Sequence, residues 1–127
     1  MSNSVVNYIG DHRKLVAWQE AIKLVELVYR ETSHLPHDEK YGLQSQLKRS
    51  AVSIPANIAE GAGRNSTREL LQFLGVASGS RAELETHLEI SVRLGMISRD
   101  SGIFDQLNRV ARLVIGLRKS VQRRLPR

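Results

Sequence analysis

The segment QSQLKRSAVSIPANIAEG, residues 44–61, decides the fold because it indicates one amphipathic helix in the middle of the chain. Apolar and small side chains recur at three- and four-residue steps, the spacing of one helical face: Leu43, Leu47, Ser50, Ala51, Ile54 and Ile58. A helix with one apolar face needs neighbours that cover it. The segment therefore predicts packing against other helices.

Pro55 lies inside this periodic segment, where proline removes an amide donor and crowds the preceding turn. An interior proline costs about 3 kcal/mol relative to alanine. We expect Ser50, Ser53 and Asn57 to satisfy freed carbonyls or to pack a kink. Gly61 is predicted to end the helix, since a glycine commonly follows a helix end. Pro55, Asn57, Glu60 and Gly61 are interpreted as residues of structure and assembly.

Helical periodicity extends over most of the chain, and no segment is a strand candidate. The predicted helices cover about residues 12–33, 41–60, 67–94 and 103–124, after a flexible leader at residues 1–11. Short loops between helices favour antiparallel neighbours. We therefore predict an all-α, up-down-up-down four-helix bundle over residues 12–125.

The apolar positions of the other helices define their seams. The first helix carries Leu15, Trp18, Ile22, Val25 and Tyr29, widened by a second line of Leu24, Leu27 and Val28. The third begins with a capping box, Ser66 and Glu69, and its seam runs Leu70, Leu74, Ala77, Arg81, Leu84 and Leu88. The fourth repeats Ile103, Leu107, Val110, Val114, Leu117, Val121 and Leu125. The predicted helices carry more apolar side chains than one bundle core requires, so we expect a homo-oligomer.

Composition excludes some chemistries. The chain has no cysteine, which rules out disulfides and thiolate catalysis and fits a cytoplasmic protein. There is no long apolar run, so we expect no membrane segment.

The basic charge is unevenly distributed. The net charge is +6, and residues 101–127 alone hold seven arginine and lysine residues against one acid, Asp105. Such asymmetry points to a polyanion or an acidic partner.

Five cations of the fourth helix are predicted to share the face opposite its seam, and we call them the basic stripe: Arg109, Arg112, Lys119, Arg123 and Arg127. Such a stripe could follow a phosphate backbone. The alternative interpretation is an ordinary solvated helix face, with arginines that favour the C-terminal end of the helix dipole. Because no aromatic residue is interleaved with the stripe, we expect backbone or shape recognition without base stacking.

Arg81 is predicted on the apolar seam of the third helix, where a charge is costly unless it is paired. Its candidate partners are Glu85 on the same helix and Glu60 at the end of the second. We interpret the pair as a polar latch that sets packing or subunit register. The alternative is an arginine that extends from the edge of the seam to water.

Catalytic and cofactor motifs are weak. Residues 61–66, GAGRNS, follow a helix rather than a strand and lack the glycine pattern of a dinucleotide site. His34 and His37 lie in a loop without a second pair of metal ligands, and no serine has a recognisable histidine–carboxylate pairing. We expect no enzyme activity, metal or cofactor.

Several short motifs with matched spacings carry a family resemblance: Trp18-Gln19, Leu35-Pro36, Tyr41-Gly42-Leu43, Arg49-Ser50, Asn57-Ile58-Ala59-Glu60-Gly61 and Glu83-Leu84-Glu85-Thr86. Over about residues 13–97 the chain resembles the four-helix-bundle proteins encoded in intervening sequences of 23S rRNA genes. The accessory variability proteins of diversity-generating retroelements are relatives of that family. The resemblance implies a ring-shaped homopentamer with a basic outer surface. It implies no catalytic residues.

These observations lead to one hypothesis and one alternative. The hypothesis is a non-catalytic, oligomeric nucleic-acid-binding protein, with RNA favoured, that uses the basic stripe. The alternative is an interaction scaffold that docks an acidic or nucleic-acid-bound enzyme such as a reverse transcriptase, a partner that the retroelement relatives imply.

Overall fold

The computed structural model describes residues 11–39 and 42–125, and all regular structure within those ranges is helical. The helices are α1 (Val16–Thr32), α2 (Leu43–Ala62), α3 (Thr67–Arg93) and α4 (Ile103–Gln122), with 3-10 helical turns at His12–Lys14 and His37–Glu39. The described part of the chain is therefore all-α. The predicted leader lies outside the described residues, apart from Asp11.

The four helices surround one apolar core. Each helix contacts the next along the chain, and α1 also packs against α4. The largest fully buried side chains come from all four helices: Leu24, Leu47, Ile58, Leu74, Leu84, Leu88, Leu107 and Val110. Burying each such side chain contributes about 1.5–3 kcal/mol.

α1 buries a different line of side chains from its predicted seam. Its core face is formed by Ala17, Ala21, Leu24 and Val28, whereas Tyr29 of the predicted seam is 46% exposed. Trp18, Ile22 and Val25 of that seam are half-buried. The bulkier predicted line therefore lies at the edge of the core, partly exposed to solvent. There the Tyr29 ring lies 4.7 Å from Lys48 Nζ.

α2 runs through Pro55 and ends at Ala62, with Gly63 as its C-cap. The prediction that Gly61 ends the helix is therefore wrong. Gly61 is buried inside the last turn, where an added Cβ would lie 2.9 Å from Phe73 Cβ and 3.3 Å from the Leu70 carbonyl oxygen. Its missing side chain allows α2 to approach the start of α3.

The turn around Pro55 is joined to α3 by a short chain of hydrogen bonds. Asn57 Nδ2 donates to the Ser53 carbonyl at 2.8 Å and to Ser53 Oγ at 2.9 Å. The hydroxyls of Ser53 and Ser80 are 2.8 Å apart across the contact between the helices. Pro55 itself is buried, so the proline-containing turn packs inside the molecule.

Both ends of α3 are capped. Ser66 Oγ accepts a hydrogen bond from the Glu69 amide at 3.1 Å, which confirms Ser66 as the predicted N-cap. At the other end Gly95 has φ +75°, a left-handed conformation that glycine adopts without strain. The amide of Met96 then donates to the Ser91 carbonyl at 2.9 Å, which closes the last turn.

The predicted seam of α4 is largely confirmed. Ile103, Leu107, Val110, Val114 and Val121 are buried, while Leu117 and Leu125 are half-buried.

Within the described ranges no helix combines the length and apolar character needed to cross a bilayer.

Candidate nucleic-acid interface

The face of α4 opposite its buried seam carries three exposed cations, Arg112, Lys119 and Arg123, which we call the outer cations. At the helical rise they follow one another at intervals of about 10 and 6 Å along the axis. None of the three forms an ion pair with a described acidic residue. α4 therefore presents a line of positive charge to solvent.

Arg109, the first residue of the basic stripe, lies on the flank of α4 that contacts α1. Its Nε donates to Glu20 Oε1 at 2.8 Å, and Lys23 Nζ lies 3.0 Å from Glu20 Oε2. The Glu20 side chain is only 9% exposed, against 54% for Arg109. Arg109 thus joins α4 to α1, and its contact with nucleic acid stays a prediction. Arg127 lies outside the described residues.

Glu20 is held in its ionised form by the groups around it. Hydrogen bonds from Lys23, then Gln106 and Arg109, lower the pKa of Glu20 from 4.5 to about 2. Gln106 Nε2 also donates to the Glu20 backbone carbonyl at 2.8 Å. The carboxylate is therefore charged at neutral pH and balances part of the basic stripe.

The C-terminal half of α4 lies beside the start of α1. Leu113 and Leu117 line a shallow cleft together with Leu15, Val16 and Ala17. On the opposite flank of α4, Arg118 Nη2 lies 3.9 Å from the position of a Cβ on Gly75 of α3. The second half of α4 is therefore flanked by the first turn of α1 and by the N-terminal third of α3.

This arrangement adds cations that the sequence analysis missed. Exposed Lys14 precedes α1, and exposed Arg68 lies in the first turn of α3, so both belong to the end of the molecule that holds Lys119 and Arg123. Arg118 is also exposed there. The short loops were a usable signal for these cations. In a bundle of consecutive antiparallel helices, the starts of α1 and α3 lie at the same end as the end of α4.

Arg81 does not occupy the buried seam of α3, so that prediction is wrong. Ser80 fills the buried position with 8% exposure, and its small side chain fits between α2 and α3. Arg81 lies at the edge, where Nη1 donates to Glu85 Oε1 at 3.1 Å. A partner on the same helix cannot latch two helices within one chain, and a role in subunit register stays a prediction.

The other predicted assembly residues belong to the α2–α3 contact or its edge. Glu60 Oε2 accepts from Arg64 Nη2 at 2.7 Å rather than pairing with Arg81. The Arg64 guanidinium also lies 4.6 Å from the centre of the Phe73 ring. Pro55, Asn57 and Gly61 act within the chain as described above.

Across residues 11–39 and 42–125, the acidic and histidine side chains form no cluster of three that could hold a metal ion.

Comparison with known proteins identifies a family and a solved structure that are similar to this chain. The family model of the 23S rRNA-intervening sequence protein matches residues 13–116. A solved structure from Bacteroides thetaiotaomicron, a protein of unknown function from the S23 ribosomal protein family, is similar with a TM-score of 0.75. It is 24% identical and covers 82% of this chain and 96% of its own, a likeness that shows the fold alone. No curated protein shows a significant match.

Proposed function

As the chain belongs to the 23S rRNA-intervening sequence protein family, we propose that it is a non-catalytic nucleic-acid-binding protein, with RNA favoured. The observation that carries the proposal is the line of exposed outer cations, Arg112, Lys119 and Arg123, on a helix face where Asp105, near the start of α4, is the single acidic residue. Lys14, Arg68 and Arg118 extend the same positive surface around one end of the molecule.

Phosphate contacts explain how such a surface would work. Each lysine or arginine that neutralises a phosphate releases condensed counterions, so affinity falls steeply with added salt. These contacts position a nucleic acid without reading its bases. The family is named for intervening sequences of 23S rRNA, and this context favours RNA over DNA. The absence of aromatic side chains on the described outer face of α4 favours backbone recognition.

The proposal includes assembly of up-down-up-down bundles into a ring-shaped homo-oligomer, a pentamer according to the family resemblance. Support comes from large apolar side chains on the surface of the single chain. Tyr29 and Val52 are 46% and 42% exposed, and on α3 Val76 and Ile90 are 47% and 43% exposed. A ring would repeat the outer cations around its rim, so weak contacts would add through multivalency.

Fluorescence anisotropy with labelled structured RNA and duplex DNA tests the proposal, with light scattering on the same samples. We expect an oligomer whose RNA affinity falls by about a hundredfold or more between 50 and 200 mM salt. We expect weaker RNA binding at low salt, and a smaller dependence of affinity on salt, in the triple variant Arg112→Gln, Lys119→Gln, Arg123→Gln. The reason is that fewer phosphate contacts release fewer counterions on binding.

The matched control is Arg30→Gln, Lys48→Gln, Arg93→Gln, which removes the same charge away from the outer cations. This control should bind RNA nearly as the natural sequence does. Equal losses in the two variants would show a non-specific charge effect. An intact oligomer that binds neither nucleic acid at low salt would refute the proposal and direct attention to an acidic protein partner. A strict monomer at tens of micromolar would refute the ring.

A further inference from the structure

A cleft of about 250 Å³ lies between the first half of α2 and the second half of α3, on helices other than the one that carries the outer cations. Only polar side chains line it: Ser45, Gln46, Arg49, Ser50, Glu83 and His87.

Opposite charges stand on the two walls of the cleft. Arg49 belongs to α2 and Glu83 to α3, and neither forms an ion pair with a described residue, including each other. The Ser50 hydroxyl is already engaged, since it donates to the Gln46 carbonyl at 2.8 Å. The guanidinium and the carboxylate are therefore the charged groups that remain for an occupant.

His87 provides a second, independent observation. It lies one helical turn after Glu83, and its Nδ1 is the buried side-chain nitrogen or oxygen without a hydrogen-bond partner among the described residues. A buried polar atom without a partner costs free energy, and such atoms are rare in folded proteins. Because this nitrogen is itself closed to solvent, a contact between His87 and an occupant of the cleft would use the accessible part of the ring.

We propose that the cleft binds a small zwitterion, specifically an α-amino acid. Arg49 would bind the ligand carboxylate, for which a guanidinium offers paired donors. Glu83 would accept from the ligand ammonium group, and His87 would supply a further polar contact. The cleft is smaller than pockets for drug-sized ligands, which suits a single amino acid. A nucleobase fits less well because the cleft offers no aromatic platform other than the imidazole.

The first experiment is a thermal-shift screen of the full chain with each proteinogenic amino acid at about 10 mM, well above a millimolar dissociation constant. We expect at least one amino acid to raise the melting temperature, and calorimetry then gives its affinity. The matching carboxylic acid without the amine, and the amine without the carboxylate, should each bind at least about tenfold more weakly.

Two charge-removing variants then test the assigned contacts. Arg49→Gln and Glu83→Gln should each lower the affinity by about tenfold to a hundredfold, since each removes a charge-assisted hydrogen bond. The matched controls are Arg30→Gln and Glu26→Gln, which change exposed charges of α1 and should leave the affinity unchanged.

The proposal is overturned if no amino acid binds, if both cleft variants bind as tightly as the natural sequence, or if the amine-free acid binds as well as the zwitterion. Tighter binding of a nucleotide such as guanosine monophosphate, lost in the same variants, would also overturn it. Measuring RNA affinity in Arg49→Gln and Glu83→Gln distinguishes this site from the outer cations. The two proposals are independent, so either can fail while the other stands.

Discussion

Two helix contacts in this molecule are built on different principles. In the α2–α3 contact, Gly61 and Ser80 keep side chains small so that the helices approach closely. In the α1–α4 contact, Glu20 accepts hydrogen bonds from Gln106 and Arg109 across the gap between the helices. The first contact depends on shape and the second on charge.

The difference shows which perturbation each contact should resist. Steric fit in a close-packed interior changes little with pH or salt, but it tolerates almost no added volume. A network of charged groups accepts changes of volume at its exposed rim, but it weakens when one partner is protonated. Three substitutions test this comparison.

The largest effect is expected from Gly61→Ala in α2. The new Cβ would lie 2.9 Å from Phe73 Cβ, and overpacking of this kind costs about 1–3 kcal/mol. That cost should outweigh the gain of about 1 kcal/mol in helix propensity. Urea unfolding at fixed protein concentration should show a net loss of stability.

The same substitution at Gly79 of α3 is the control. A Cβ at Gly79 would meet no atom within 4 Å, so Gly79→Ala should gain up to about 1 kcal/mol from helix propensity. Opposite signs for the two variants would support close approach at Gly61. A neutral or stabilising Gly61→Ala would contradict it.

A smaller, pH-dependent effect is expected from Glu20→Gln in α1. The pKa of Glu20 is about 2 in the folded protein and 4.5 ordinarily, so the folded state binds fewer protons between those values. The stabilisation from ionised Glu20 is therefore complete above pH 4.5 and is lost as pH falls toward 2. Glu20→Gln should be less stable than the natural sequence at pH 7, and the gap should close in acid.

Thermal unfolding at a series of pH values measures that gap. Glu26→Gln, which removes an exposed carboxylate of the same helix outside the Glu20 network, is the matched control. If the difference between Glu20→Gln and the natural sequence stayed constant from pH 7 to pH 2, the Glu20 network would not be the source of the stability.

The smallest effect is expected from Ser80→Ala in α3. This change removes the hydrogen bond between the Ser80 and Ser53 hydroxyls, and Asn57 still donates to Ser53 Oγ. The expected loss is about 1 kcal/mol, measured by urea unfolding. Ser78→Ala, on the same helix, removes a hydroxyl that makes no hydrogen bond to a described residue, and it should change stability less. An equal effect of the two substitutions would mean that the Ser53–Ser80 bond adds nothing to the α2–α3 contact.

The positions of the helices were largely predictable because they depend on local signals. Ser66 at the start of α3 and the apolar seam of α4 were both identified from spacing and capping chemistry. The candidate interface was predictable in part. The outer cations were found because one helix face holds them, whereas Lys14 and Arg118 join that surface only through the packing of separate helices.

The sequence by itself determined an all-α chain with four helices, a basic C-terminal helix and the family resemblance, because periodicity, capping and charge are local properties. Only the tertiary structure decided which apolar line of α1 is buried, that Gly61 permits close approach, and that Arg109 is balanced by Glu20. The physical reason is that each of these depends on a neighbouring helix. A helix with two apolar lines, or a cation on its flank, has no fixed environment until that neighbour is in place.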